Sequence, residues 1–204
     1  MNRKVSLLVS LLFVFTTSFV LLTYVNANEY SFNKTNEKQN LKEIVNESLM
    51  KAEQIKADKN EEKKWVIRVL VQAKMQNKNI TDQEVLKEAK KVMLERKKWF
   101  EVAEKVYGIK VSDEELRNYI SIELEKNKDL PIVTEVSQGL GINIEEFFYN
   151  FEADNFKKNL IWNKLKPILE KKYPMLENEK DHLLEYNNRL VNLFNSEVEV
   201  YVAQ

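Results

Sequence analysis

No cysteine occurs among the 204 residues, and there are only three glycines, three prolines and one histidine. Without cysteine the chain has no disulfide, no thiolate chemistry and no lipid-modified N-terminal cysteine. The glycines are dispersed as Gly108, Gly139 and Gly141; they cannot build a phosphate-binding loop or a dinucleotide fingerprint, so no cofactor is expected. His182 lies in Glu179-Lys180-Asp181-His182. A di-iron bundle needs two such Glu-x-x-His motifs and two further carboxylates, so His182 reads as a solvated residue near a helix start, and no metal is expected. Any Ser-His-Asp arrangement would need that same histidine, and no nucleophile-elbow sequence supports one. A surplus of charge is also missing: 32 basic residues face 32 acidic ones, which leaves no electrostatic footprint for nucleic acid.

What the chain does have is helical pattern. Three segments, Ile80-Thr81-Asp82-Gln83-Glu84-Val85, Val111-Ser112-Asp113-Glu114-Glu115-Leu116 and Ile142-Asn143-Ile144-Glu145-Glu146-Phe147, place a Thr, Ser or Asn three residues before a Glu. The short side chain caps an orphan N–H, the Glu reaches back to the cap amide, and the flanking apolar residues have the spacing of a hydrophobic staple. The paired acids Glu114/Glu115 and Glu145/Glu146 are therefore first-turn residues that complement the helix dipole, and they give no sign of an enzyme. The sequences between the three starts do not match one another, which excludes a solenoid.

Few Gly and Pro, with Lys, Glu, Leu and Ala in long periodic runs, predict a mostly α fold: a multi-helix lobe with a short C-terminal strand. Residues 28–40 read as a polar linker and 41–57 as a helix with a thin apolar stripe. Residues 61–77 are read as a helix, because the pattern runs too long for an ordinary strand, although Val66-Ile67-Arg68-Val69-Leu70-Val71 alone also fits a buried strand. A strongly amphipathic helix spans 82–107 and ends at Gly108 as a left-handed cap. A shorter helix starts at Ser112, and Pro131 opens another that ends at Gly139. Asn143 caps the longest helix, to about residue 172, with Pro167 expected to kink it or split off its last turns. Pro174 closes the lobe over 41–174. A closing helix carries Leu183, Tyr186, Leu190, Val191 and Phe194, and Glu197-Val198-Glu199-Val200-Tyr201-Val202 alternates as a strand. Its candidate partners are Glu29-Tyr30-Ser31-Phe32 or the Val66–Val71 run.

The N-terminus carries an address. Arg3 and Lys4 precede an uncharged stretch, and Val25-Asn26-Ala27 has the residue types a signal peptidase reads, so residues 1–27 form a signal peptide cleaved after Ala27. The alternative is an uncleaved anchor, since residues 5–25 would span about 30 Å as a helix. In both cases the remainder is exported, and the membrane is met only through residues 5–25 if these are retained. Loss of Arg3 and Lys4 would leave 30 basic residues against 32 acidic ones.

The long helix holds more apolar surface than one buried face requires. At 100° per residue, Ile144, Phe147, Phe148, Phe151, Trp162, Leu165 and Leu169 share one stripe, interrupted by Asn155, Lys158 and Asn159. Tyr149, Ala153, Phe156 and Leu160 form a second stripe opposite. One reading is a central helix packed on several sides. The other is an open groove that receives apolar segments of other chains, with Tyr149, Phe156 and Leu160, and secondarily Trp162, as peptide-binding candidates.

The order of these motifs resembles the N-terminal helical domain of SurA-like and PrsA-like extracytoplasmic chaperones, an outline that trigger factor shares. The resemblance rests on Ile80-Thr81-Asp82-Gln83-Glu84-Val85, on Ala103-Glu104-Lys105-Val106-Tyr107-Gly108-Ile109-Lys110-Val111-Ser112-Asp113-Glu114-Glu115-Leu116, and on Leu140-Gly141-Ile142-Asn143-Ile144-Glu145-Glu146-Phe147 leading into a long basic-aromatic helix. The tail from Arg189-Leu190-Val191 to Val198-Glu199-Val200-Tyr201 is similar to that family's closing helix and strand. The resemblance implies a bacterial envelope chaperone whose partners are unfolded or exported polypeptides. Family members with isomerase activity carry a parvulin domain between the long and closing helices, where this chain has only the short joint around Tyr173-Pro174-Met175. Parvulin catalysis is therefore not expected. An interaction or scaffold module with one specific envelope partner is the alternative function.

Overall fold

The computed structural model describes residues 40–55, 60–179 and 182–202. The expected leader over 1–27, the linker apart from Asn40, and the strand candidate at residues 29–32 lie outside the described residues. Among the described residues all regular structure is helical, as the composition predicts.

Among the described residues eight α-helices follow one another: α1 (Leu41–Gln54), α2 (Asn60–Met75), α3 (Asp82–Lys105), α4 (Asp113–Asn127), α5 (Pro131–Leu140), α6 (Ile144–Glu146), α7 (Ala153–Lys172) and α8 (Leu183–Val202). A π-turn, Phe147–Phe151, joins α6 to α7, and a 3₁₀ turn, Glu177–Glu179, precedes α8. The first two expected capping boxes form in both directions. Glu84 N–H donates to Thr81 Oγ1 (3.3 Å) while Thr81 N–H donates to Glu84 Oε2 (2.8 Å). Glu115 and Ser112 repeat this at 3.2 and 3.0 Å. The third is the forward half only, with Glu146 N–H donating to Asn143 Oδ1 at 2.7 Å.

Packing builds three neighbouring cores. α1 lies against α5 and α2, and α2 against the first half of α3, burying Val45, Trp65, Val66, Leu70, Val85 and Ala89. The second half of α3 joins α7 and α8 around Trp99, Val102, Leu165, Leu169, Leu190 and Phe194. A smaller cluster of Ile120, Val133, Phe148 and Phe156 sits between α4, α5 and the π-turn. α3 is thus the beam shared by the two large cores; at 24 residues it is about 36 Å long.

Several expectations need correction. Residues 197–202 are not a strand; they are the last turns of α8. Tyr186, Leu190, Phe194 and Val198, each four residues after the last, are all buried on one helical face, and this ladder overrides the local alternation. The Val66–Val71 run, by contrast, is helical as expected. Val66, Ile67, Val69, Leu70 and Val71 are all buried, and a helix buried on most sides loses the amphipathic signature that would mark it. The short helix does not end at Gly139 but runs one residue further, and Gly141 (φ 69°) supplies the left-handed cap. Gly139 serves contact instead: a Cβ there would lie 2.7 Å from Lys42 O and Val45 Cβ, so any side chain would push α1 off α5. Pro167 does not split off the last turns, and α7 continues through it to Lys172.

The largest correction concerns the long helix, which is interrupted. Glu152 N–H donates to Phe147 O five residues back, at 2.9 Å. One residue too many for an α-helical turn rotates everything downstream by about 100° relative to an uninterrupted helix. A stripe drawn across this point at constant angle therefore joins residues that face different ways.

Candidate functional site

Of the four predicted peptide-binding residues, Tyr149 lines a hollow. The capped start of α4 presents Asp113, Leu116, Arg117 and Ile120 at helical spacing i, i+3, i+4, i+7. The π-turn and the first turn of α7 bring Tyr149, Asn150 and Ala153 opposite them, enclosing an open volume of about 320 Å³. Leu116, Ile120 and Ala153 supply the apolar lining, while Asp113, Arg117 and Asn150 supply polar groups, so an apolar side chain can enter with its backbone near charge.

Phe156 and Trp162 are buried in the cores, so the single groove expected from the stripe is not formed. Phe156 is only 5% exposed; its ring stacks on Phe148 (5.2 Å, 19°) and meets the edge of Tyr119 (6.3 Å, 71°). Trp162 is 6% exposed and belongs to the α3–α7–α8 core. Leu160 is half-buried. The π-turn separates Tyr149, which lies within it, from Phe156 and Leu160 of the same expected stripe, which follow it. Inside the turn, Phe147 and Phe151 stack at 6.1 Å and 19°, holding the two ends of the π-turn together.

The residues that sequence reasoning missed form a charged cluster where α2, α3 and α7 meet. Asp154, in the first turn of α7, accepts from Lys64 (2.7 Å), from Arg68 through both guanidinium ends (2.9 and 3.1 Å) and from Arg96 (3.2 Å). Arg68 also donates to Phe151 O (2.7 Å) and Glu152 (3.2 Å), and Arg96 to Asn155 Oδ1 (2.9 Å). The Trp65 ring lies 4.7 Å from the Arg68 guanidinium carbon and 5.5 Å from that of Arg96. Burial alone would raise the Asp154 pKa. The Arg68 charge and hydrogen bond, with Lys64 and Arg96, outweigh it and hold the carboxyl far below its usual range. Arg96 is pushed down to about 10 by burial, which Asp154 only partly offsets. The one available signal was the polar interruption Asn155, Lys158 and Asn159 in the apolar stripe, which marks this side of α7.

A second, shallower cluster surrounds Glu197 on α8. Its carboxylate accepts from Tyr107 Oη, from Lys172 Nζ (2.9 Å) and from Tyr173 Oη (2.5 Å). This ties the far end of α8 to the ends of α3 and α7, and it explains why residue 197 stays in a helix.

His182 stands in the open, its Nδ1 3.8 Å from Glu185 Oε1. Among the described residues no group of three or more His, Cys, Asp or Glu could hold a metal ion, and no helix is long and apolar enough to cross a membrane. Comparison with known protein families, with curated proteins and with solved structures finds no match to this chain.

Proposed function

We propose that this chain is an exported, non-enzymatic chaperone-like protein that receives apolar side chains of unfolded or partly folded polypeptides at the Tyr149 hollow. The observation that carries this reading is the hollow itself: an apolar lining and a half-exposed aromatic ring (Tyr149, 36% exposed) flanked by charge. The apparent leader over residues 1–27 and the family resemblance of the capped helix starts support the setting outside the cytoplasmic membrane.

Magnitudes define the mechanism. Burying one large apolar side chain is worth roughly 1.5–3 kcal/mol, whereas even a millimolar complex needs about 4 kcal/mol. One hollow therefore binds weakly and releases quickly, and useful retention needs several contacts along the client. Other exposed apolar side chains, among them Met50, Leu94 and Ile122, offer scattered additional contacts, and the mixed Lys and Glu surface keeps the complex in solution.

A second reading is a scaffold with one specific partner. The small size of the hollow and the opposite charges of Asp113 and Arg117 on its lining favour it, because such charges select one flanking sequence rather than many. The test is suppression of aggregation of several unrelated denatured proteins by the chain freed of residues 1–27. The proposal expects broad suppression that falls by at least about half in Tyr149→Ser, whose melting temperature stays near that of the parent. Suppression of none, or an unaltered Tyr149→Ser, rejects it; binding to a single partner supports the scaffold.

A further inference from the structure

The hollow has two walls, and they are held by different means. The α4 wall is fixed at its start by the Ser112–Glu115 capping box. Lys164 of α7 then donates to Glu115 (2.6 Å) and to Lys110 O (2.9 Å). The other wall is a segment whose residues alternate in role. Tyr149, Asn150 and Ala153 line the hollow, whereas Phe151, Glu152 and Asp154 are gripped by one side chain of α2. Arg68 Nη2 donates to Phe151 O (2.7 Å), Glu152 Oε1 (3.2 Å) and Asp154 Oδ1 (3.1 Å), while Nη1 donates to Asp154 Oδ2 (2.9 Å). The guanidinium carbon also lies 5.1 Å from the centre of the Phe151 ring, which stacks on Phe147 at the other end of the π-turn. The Asn155 amide, which an uninterrupted α-helix would aim at Phe151 O, donates to Glu152 O at 2.9 Å. Arg68 thus serves the carbonyl at which the π-turn passes into α7.

We propose that Arg68 is a positioning residue of the hollow: from α2 it fixes the π-turn, and so sets Tyr149, Asn150 and Ala153 against α4. This role rests on the reading of the hollow as a binding site. The guanidinium suits it because a planar fork can bond a carbonyl and two carboxylates at once. A lysine ammonium carries the same charge on a single point and cannot span the same set. Charge alone does not require Arg68, since Lys64 and Arg96 also face Asp154, at 2.7 and 3.2 Å. What the fork adds is the bond to Phe151 O and the link from residue 151 to residue 154.

The experiment labels the whole chain with 3-fluorotyrosine and reads its eight tyrosines by ¹⁹F NMR, the Tyr149 resonance being assigned through Tyr149→Phe. In Arg68→Lys the Tyr149 resonance is expected to shift by more than its linewidth. Those of Tyr107 and Tyr173, at the Glu197 cluster, are expected to stay in place. Glu197→Gln is expected to give the converse, moving Tyr107 and Tyr173 and leaving Tyr149. Glu152→Gln weakens one anchor and keeps the Asp154 bonds, so a smaller shift of Tyr149 is expected. Tyr149 unmoved in a folded Arg68→Lys overturns the proposal; where that variant does not fold, Tyr149 unmoved in Glu152→Gln does so. Shifts in Arg68→Lys that spread equally to Tyr107 and Tyr173 overturn it too. Suppression of aggregation of urea-denatured lysozyme tests the reading beneath it. A loss in Arg68→Lys as deep as that in Tyr149→Ser supports both. A moved Tyr149 with full suppression leaves Arg68 in its role and rejects the hollow as the client site.

Discussion

Two carboxylates, Asp154 and Glu197, each gather three donor residues from distant parts of the chain, but at different depths. Asp154 and its partners Lys64, Arg68 and Arg96 keep between 5% and 19% of their side-chain surface exposed, whereas Glu197 keeps 22% and its partner Lys172 47%. The first cluster ties α2, α3 and α7 together between the two large cores. The second fastens the end of α8 onto the ends of α3 and α7. Burial strips water from the first cluster, so its charges depend on one another; at the second, solvent stands ready to replace any partner that is lost. Similar bonding patterns therefore carry different consequences.

Breaking the deep cluster gives the largest expected effect. Asp154→Ala leaves Arg68, Arg96 and Lys64 without their shared acceptor, and removing one partner of a buried charge set costs about 3–5 kcal/mol. Urea unfolding monitored by helical circular dichroism measures it; a loss below about 1 kcal/mol would show that water already compensates these cations.

Lys158, over the Trp99 ring on the α7 face beside the deep cluster, gives the next effect. An unfolded lysine holds its proton up to about pH 10.4, whereas the folded Lys158 releases it near 7 because of burial and Arg96. Between these values the unfolded chain binds more protons, so stability rises as pH rises. After discounting for a half-buried side chain, the gain from pH 7 to 9 is expected to be about 1 kcal/mol, and absent in Lys158→Gln. Urea midpoints at the two pH values, compared between parent and variant, read it directly.

The shallow cluster should give the smallest change. Glu197→Gln keeps an acceptor for Tyr107 and Tyr173 but removes the charge facing Lys172, at an expected cost of about 0.5–1 kcal/mol. If this variant proved as damaging as Asp154→Ala, depth would not be what distinguishes the two sites.

Much of the architecture was legible because local chemistry specifies it. Thr81 and Ser112 announce their helices by a cap and a Glu three residues on, and both boxes form as the residue types require. Gly108, at φ 69°, follows α3 where the pattern stops. The candidate site was legible only in part. Tyr149 does stand beside a hollow, but Phe156 was set on the same open stripe by projecting one constant angle through residues 143–172, and nothing in the local pattern of Phe147-Phe148-Tyr149-Asn150-Phe151 marks a five-residue turn.

Asn, Thr and Ser caps, helical apolar spacing and the scarcity of Gly and Pro were enough to specify a helical protein and most of its helix starts, because those effects act within one turn of the chain. Contacts far apart in sequence chose the rest: that 197–202 is helical, that Gly139 faces Val45, and that Asp154 meets Arg68 and Arg96. Burial on several sides removes the polar face that local pattern relies on. A buried charge cluster assembled from α2, α3 and α7 has no spacing in sequence at all; it exists only once the helices have packed.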